Sequence, residues 1–505
     1  MLVPLPSIRS GGVSFPTVHQ GTITRTRIVR VEQPTMGRRN LRVGWALVAS
    51  GFTMLALLAG FVVLYTNLPV GYDAPYGLSL DSPPLFRTLW PYPILPLAPE
   101  VFTWPAGVVL VLLWSVYLLA AALVRRVHTR DRRLVIGIIV TFGLLANGFL
   151  ALALPPVLSS DVYSYGLYGR MVAVYHRNPY VATDTLLSDD PLWPFIAWRG
   201  VPTRYGPAWT LISILPSAVT GESALLTVLA LKIVATLFNL VNGLLVFLLA
   251  RRLGDDDGVR ALLLYTWNPL ILIETAGSGH NDAVMVTFVL LGLLLVVRGR
   301  PVAGITAMTL SVLVKYVKVF LLIFVVARTL HRARTRRQAA LLLLRIGAVV
   351  AIVGALPYLP FVLTSPGLPH FLTAATPFTN AVQNPLHSAL EEVTVSLLAM
   401  GGERQWAERV GPTYLAGVLH LGLGMLVALQ AKSITAAGLA WSAIVERWGI
   451  ISLVYVVLVH GGNLPWYLIT PLTATMIIPS NRRLQAIETG FGISWILLYA
   501  VLRLA

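Results

Sequence analysis

Asp161 is followed by Tyr163, Tyr165 and Tyr168, directly after the apolar run Leu134–Leu154 and the pair Pro155-Pro156. A carboxylate flanked by aromatic rings at the mouth of a membrane helix can take a proton from a hydroxyl nucleophile. The rings can stack on sugar faces or lie in an interfacial aromatic belt. Ser159 or Ser160 could instead cap a short helix, and aspartate suits a first helical turn, so a capping role stands beside the general-base role. Arg204 precedes Tyr205-Gly206-Pro207, and its guanidinium fits either a phosphate or an interfacial anchor. The segment Glu274–Asp282 brings His280, Asn281 and Asp282 to the start of an apolar run. These three can line a sugar-binding cavity, cap a helix or, for His280 and Asp282, contribute to a metal site. The two-residue spacing argues against the metal, because helical ligand pairs stand three or four apart. Lys315 and Lys318 lie between two apolar segments too short to span a bilayer singly. An intramembrane lysine is costly unless paired or solvated, so Lys315 is a candidate for an anionic lipid phosphate, with snorkelling as the other role and the better one for Lys318.

The elements that must position these groups are membrane helices. Of 505 residues, 56% are hydrophobic and 12% are charged, against about 25% charged in soluble chains. Apolar stretches of about 18–25 residues recur throughout, the signature of membrane spans. The net charge of +17 falls mostly in short basic loops, as the positive-inside rule requires, and indicates no nucleic-acid partner. Lys232, Arg345 and Arg447 read as snorkelling or helix-pairing residues. With no cysteine there is no disulfide framework and no thiolate chemistry. No P-loop, dinucleotide fingerprint or nucleophile elbow occurs.

The expected architecture is an all-α, polytopic transmembrane bundle of about 12–13 membrane helices. Its basic clusters, at 25–42, 125–133, 251–260, 328–337 and 482–483, fall on the cytoplasmic side. Two long loops, 155–222 and 364–412, fall on the extracytoplasmic side. Tyr163–Tyr175 reads as an amphipathic helix on the membrane surface. Residues 1–42 form a basic cytoplasmic tail and 43–129 carry two N-terminal spans. A core follows over 130–480, with a last span in 481–505. Asp161, Arg204-Tyr205, His280-Asn281-Asp282, Lys315 and Trp466-Tyr467 then share the outer side.

Several motifs recur in a fixed order. They are Asp161–Tyr165 with Gly169-Arg170, Asn178-Pro179-Tyr180, Arg204–Pro207, Gly279–Asp282, Val314-Lys315-Tyr316 and Pro465-Trp466-Tyr467. Over about residues 130–480 this order resembles the polyprenol-phosphomannose-dependent α-1,6-mannosyltransferases of actinobacteria, which are GT-C glycosyltransferases. The resemblance implies a multi-pass membrane enzyme with an outward-facing site, a polyprenyl-phosphate sugar donor and a glycan or glycolipid acceptor. It implies Asp161 as the catalytic base. Were the core to begin at the first span, Asp73 or Asp81 would take that role. Arg204, Lys315 and Arg170 are the cations for the donor phosphate. Tyr163, Tyr165, Tyr205, His280, Asn281, Asp282, Trp466 and Tyr467 are the candidates for sugar or acceptor contacts. Attack opposite the phosphate inverts configuration, with no cofactor or metal required, since Lys and Arg can stabilise the leaving phosphate. The rival reading is a lipid-linked sugar flippase or transporter, which would place charges at mid-depth in broken helices.

Overall fold

The computed structural model describes residues 38–66, 99–127, 131–153, 156, 159–181, 187–196, 200–254, 258–316, 319–364, 384–462, 464–478 and 482–504. Asp73, Asp81 and Lys318 lie outside them. No β-strand occurs among the described residues. The chain runs through α1 (Arg38–Thr66), α2 (Pro99–Val124), α3 (Arg132–Ala153), α4 (Asp161–Ala173), α5 (Pro207–Val219) and α6 (Ala224–Leu253). It continues through α7 (Val259–Thr266), α8 (Pro269–Leu272), α9 (Asp282–Val297), α10 (Pro301–Val314), α11 (Phe320–Leu330), α12 (Arg336–Ala355) and α13 (Leu359–Thr364). The last part holds α14 (Pro385–Ala399), α15 (Arg404–Ala437), α16 (Trp441–Val454), α17 (Ile469–Ile477) and α18 (Arg482–Leu504).

Among the described residues, seven helical segments are long and apolar enough to cross a membrane. The segments Pro269–Gly277 and Asp282–Val297 pass that test together but are bent by 116° at the break between them. Three shorter apolar helices, α5, α10 and α11, account for further stretches that read as spans in the sequence. The expected twelve to thirteen membrane helices thus divide into full spans and short or broken ones. The short ones surround the polar motifs, where a helix that stops inside the bundle can present side chains and backbone to a cavity.

Polar side chains tie the central helices together. Asn239 donates to Asn147 on α3 at 2.8 Å and accepts from the Tyr265 hydroxyl of α7 at 2.9 Å. Asn242 donates to the Ala283 carbonyl at 2.8 Å, one residue beyond Asp282, and so fixes the start of α9 against α6. Lys232 is wholly buried and donates to the Leu150 carbonyl at 3.1 Å, which makes it a helix-pairing residue rather than a snorkelling one. The first two helices also join the bundle: the Tyr117 hydroxyl donates to the Leu264 carbonyl at 3.1 Å, and Phe52 meets Phe142 edge-on.

α4 does not lie on a surface. Every residue from Val162 to Met171 is buried, because α5, α6 and the segment 187–196 enclose the helix. Two glycines permit the approach. A Cβ on Gly169 would stand 2.6 Å from the Ser213 carbonyl oxygen, and one on Gly166 would stand 2.7 Å from Leu192. The segment 155–222 is therefore largely a packed helical insert.

A third close approach sets the site. The Gly206 N–H donates to the Val314 carbonyl at 3.1 Å, and a Cβ there would stand 1.8 Å from the Leu313 carbonyl oxygen. Backbone meets backbone, so nothing flexible can yield. Gly206→Ala is expected to lower stability by about 1–3 kcal/mol and to fall clearly below wild type in thermal melting of the detergent-purified chain. Gly137→Ala, whose Cβ would meet nothing within 4 Å, is the control and should melt like the wild type.

Candidate active site

The site forms where four interruptions of regular helix meet. α4 begins at Asp161, and the Ser159 hydroxyl, rather than Ser160, accepts the Asp161 N–H at 3.2 Å. The run α8–α9 breaks at a π-helical turn, Ile273–Gly277, followed by Gly279 at φ +76°. α10 ends at Lys315, whose own backbone is extended. A second π-helical turn, Tyr455–Val459, precedes the short turn Pro465–Leu468. Such turns widen a helix and free its carbonyls, and they are frequent at functional sites. Asn384 satisfies two of those carbonyls, donating to Val457 at 2.9 Å and His460 at 3.1 Å, so its place is structural.

Three acidic groups, a histidine and a lysine converge there. His280 Nδ1 stands 3.7 Å from Asp161 Oδ2, and His280 Nε2 stands 3.2 Å from Glu274 Oε2. The Trp466 indole stacks on the imidazole at 3.9 Å and 21°. Lys315 Nζ donates to Asp282 Oδ2 at 2.7 Å and lies 4.4 Å from the centre of the Tyr467 ring. The Tyr165 hydroxyl donates to Asn281 Oδ1 at 3.3 Å, and the Tyr165 ring meets Tyr205 edge-on at 4.8 Å. Asn281 and Asp282 make no side-chain cap on α9. The two members of the weighed metal pair turn apart, His280 towards two carboxylates and Asp282 towards an ammonium.

Access differs sharply within the cluster. The side chains of Glu274, His280 and Asp282 are 0% exposed and that of Lys315 is 7% exposed, whereas Asp161 retains 13%. Asp161 is therefore the most accessible carboxylate of the cluster. Burial, and then the charge of Asp161, hold the Tyr165 and Tyr205 phenols well above the usual tyrosine range. Both phenols therefore stay neutral.

The site is sunk below the surface. The Arg260 guanidinium bonds Gln485, which places the start of α7 beside the Arg482-Arg483 pair at one end of the bundle. α10 climbs 14 residues from Arg300 to Lys315, and α9 spans 16 residues between Asp282 and Arg298. At 1.5 Å per residue these lengths are about 21 and 24 Å. The ion pair thus stands one such helix length from the basic loops, towards the opposite end of the bundle.

Not every candidate joins the cluster. Arg170 is buried with its Nε 2.7 Å from Asp190, and it also donates to the Gly221 carbonyl. Asp190 accepts in addition from the Tyr175 hydroxyl at 2.9 Å and the Leu192 N–H at 2.8 Å. The charge of Arg170 thus fastens the segment 187–196 to α4 and is not offered to a donor phosphate. Tyr163 stacks on Phe195 at 5.1 Å in the same packing layer. Arg204 is half-buried, beside Tyr205 and two residues from the contact of Gly206 with Val314, which holds its segment next to Lys315. Glu274 is the group that motif reasoning passed over. The signal was present: an acidic residue inside an otherwise apolar run must be paired or functional.

A family described as "Alpha-(1->6)-mannopyranosyltransferase, N-terminal domain" matches residues 53–331, a span that opens inside α1 and closes just past α11. The chain is 31% identical over 196 residues to alpha-(1->6)-mannopyranosyltransferase A of Corynebacterium glutamicum, covering 37% of this chain and 39% of that protein. It is 27% identical over 367 residues to alpha-(1->6)-mannopyranosyltransferase A of Mycobacterium tuberculosis, covering 68% of this chain and 65% of that protein. These matches thus span less than two thirds of either relative's length. No solved structure matches.

The buried pair of Lys315 and Asp282 generates a stability test. Removing one partner leaves the other buried and uncompensated, which costs about 3–5 kcal/mol. Lys315→Met or Asp282→Leu alone should lower the melting temperature strongly. The double variant should melt above either single one.

Proposed function

The chain belongs to the alpha-(1->6)-mannopyranosyltransferase family, and from that premise we propose that it is a membrane glycosyltransferase that moves mannose from a polyprenyl-phosphate donor to a glycan or glycolipid acceptor. The donor headgroup would enter from the extracytoplasmic leaflet and the reaction would proceed on that side. The observation that carries this reading is Asp161, the one partly exposed carboxylate among the described residues of the cluster, beside the buried pair of Lys315 and Asp282.

The geometry supports a division of labour. Asp161 accepts the proton of the acceptor hydroxyl as the oxygen attacks the anomeric carbon. The bond from that carbon to the phosphate oxygen breaks, and the electron pair leaves with the lipid phosphate. Attack from the opposite face inverts the anomeric centre. Lys315, with Arg204 beside it in the chain packing, supplies positive charge to the departing phosphate. Asp282 balances Lys315 while no phosphate is bound. Tyr165 and Tyr205 present edges and hydroxyls to the sugar, and Trp466 and Tyr467 close the opposite wall. The depth of the site suits a lipid-borne phosphate, whose isoprenoid tail remains in the bilayer while the sugar reaches the cluster.

One feature favours a second reading. The 116° break between Pro269–Gly277 and Asp282–Val297, next to an intramembrane ion pair, is also an arrangement used by transporters. A flippase for lipid-linked sugars would move the donor and form no glycosidic bond.

Transfer from radiolabelled polyprenyl-phosphate mannose in membranes decides between them. The wild type should form labelled glycan, and Asp161→Asn should reduce turnover by about 10²–10⁴-fold with donor binding retained. Full activity in Asp161→Asn would remove the base assignment. Absence of transfer by the wild type, with movement of the donor across the bilayer, would establish the flippase.

A further inference from the structure

Glu274 has no role in the reaction as written above, and its setting is unusual. It is 0% exposed, it sits on a π-helical turn, and neither of its carboxylate oxygens accepts a hydrogen bond. A buried carboxylate is strongly driven to find a donor or a cation. Its neighbour is His280 Nε2, at 3.2 Å. The other ring nitrogen points at Asp161, at 3.7 Å. The imidazole thus stands between two carboxylates, one sealed and one reachable, with Trp466 against its face.

We propose that Glu274 is a positioning residue that holds the proton of His280 on Nε2 and leaves Nδ1 bare towards Asp161, so that His280 becomes the final seat of the proton taken from the acceptor. This rests on the transferase reading for its purpose, though not for its geometry. Neither ring nitrogen makes a hydrogen bond as placed, but the nearer and more deeply buried carboxylate, Glu274 at 3.2 Å against Asp161 at 3.7 Å, is the one positioned to take the N–H. The lone pair of Nδ1 then faces the group that receives the substrate proton.

The step balances. The acceptor oxygen forms its bond to the anomeric carbon and gives its proton to Asp161. Asp161 passes that proton to His280 Nδ1 and returns to its charged form. The imidazolium now lies between two negative groups and beneath an indole face, both of which favour the cation. The leaving phosphate departs with its own electron pair, and the proton on His280 returns to water through Asp161 after the product has gone. Asp161 is thereby returned to its charged form while the product is still bound, and the proton leaves only once water can enter.

The geometry makes the same assignment for Trp466. An indole stacked at 3.9 Å blocks rotation of the imidazole out of its plane. Both ring nitrogens therefore stay facing their carboxylates while the proton moves.

Two measurements on the full chain test this. The chain has nine histidines. Nitrogen NMR of detergent-purified protein labelled at histidine, with His280→Gln to identify the resonance, reads the protonated ring atom without any substrate. The wild type should carry the proton on Nε2, and Glu274→Gln should shift population to the Nδ1-protonated form. A wild-type proton on Nδ1 overturns the proposal, as does a pattern unchanged by Glu274→Gln. The wild-type spectrum alone suffices if that variant fails to fold.

The second measurement is turnover with radiolabelled polyprenyl-phosphate mannose. Glu274→Gln, which keeps the shape and removes the charge, should lower kcat by about 100-fold and leave KM for the donor unchanged. The double variant with His280→Gln should be no slower than His280→Gln alone, because Glu274 acts through that ring. Additive losses, or a Glu274→Gln enzyme as fast as wild type, count against it. If the wild type transfers nothing, the transferase reading falls, and the resonance of His280 alone judges the positioning.

Discussion

A charge inside an apolar bundle survives only with a partner. The contact between Lys315 and Asp282 is the one on which the rest of the centre depends. To reach Asp282, Lys315 must stand where α10 stops, and α10 must stop inside the bundle. Asp282 must in turn stand at the first turn of α9, which requires the preceding chain to bend sharply. The broken helix, the π-helical turn and the positive φ of Gly279 all follow from bringing these two ends together. The close contact of Gly206 with Leu313 and Val314 then carries Arg204 and Tyr205 to the same place.

Around that pair the polar groups separate by function. Asn147, Asn239, Asn242 and Lys232 bind helices to one another through the bundle. Arg170 and Asp190 fasten the insert between α3 and α6, and Asn384 quiets the carbonyls freed by the second π-helical turn. Among the described ionisable groups at the centre, Asp161, Glu274 and His280 are not tied to the scaffold by such bonds. The same residue types serve scaffold and chemistry here, and only the partner and the access to solvent tell them apart.

The membrane class, the all-α architecture and the family were legible in the sequence, because apolar runs of span length and short ordered motifs are one-dimensional signals. The meeting of Asp161, His280, Asp282 and Lys315 was legible only as a shared side of the membrane. The pairing itself was not, since which carboxylate a histidine faces depends on a bend that hydropathy does not encode. Arg170 shows the limit most plainly. Its motif position suggested a phosphate ligand, yet Asp190, twenty residues on in a segment with no pattern, takes its charge. α4 misled for a related reason: apolar and aromatic residues at mixed helical spacing read as a surface helix, whereas Gly166 and Gly169 are the points at which neighbouring segments press in.

One helix has a length that matters. α15 comprises 34 residues, about 51 Å of rod, against an apolar layer of about 30 Å. Its last residues are held beside the end of α11, where Thr435 bonds the Ala327 carbonyl at 3.2 Å, and it also touches the π-helical turn that leads to His460. A helix pinned at its foot and longer than such a layer can meet a thinner or thicker bilayer by leaning. Lipid composition thereby gains a lever arm on the wall that carries Trp466 and Tyr467.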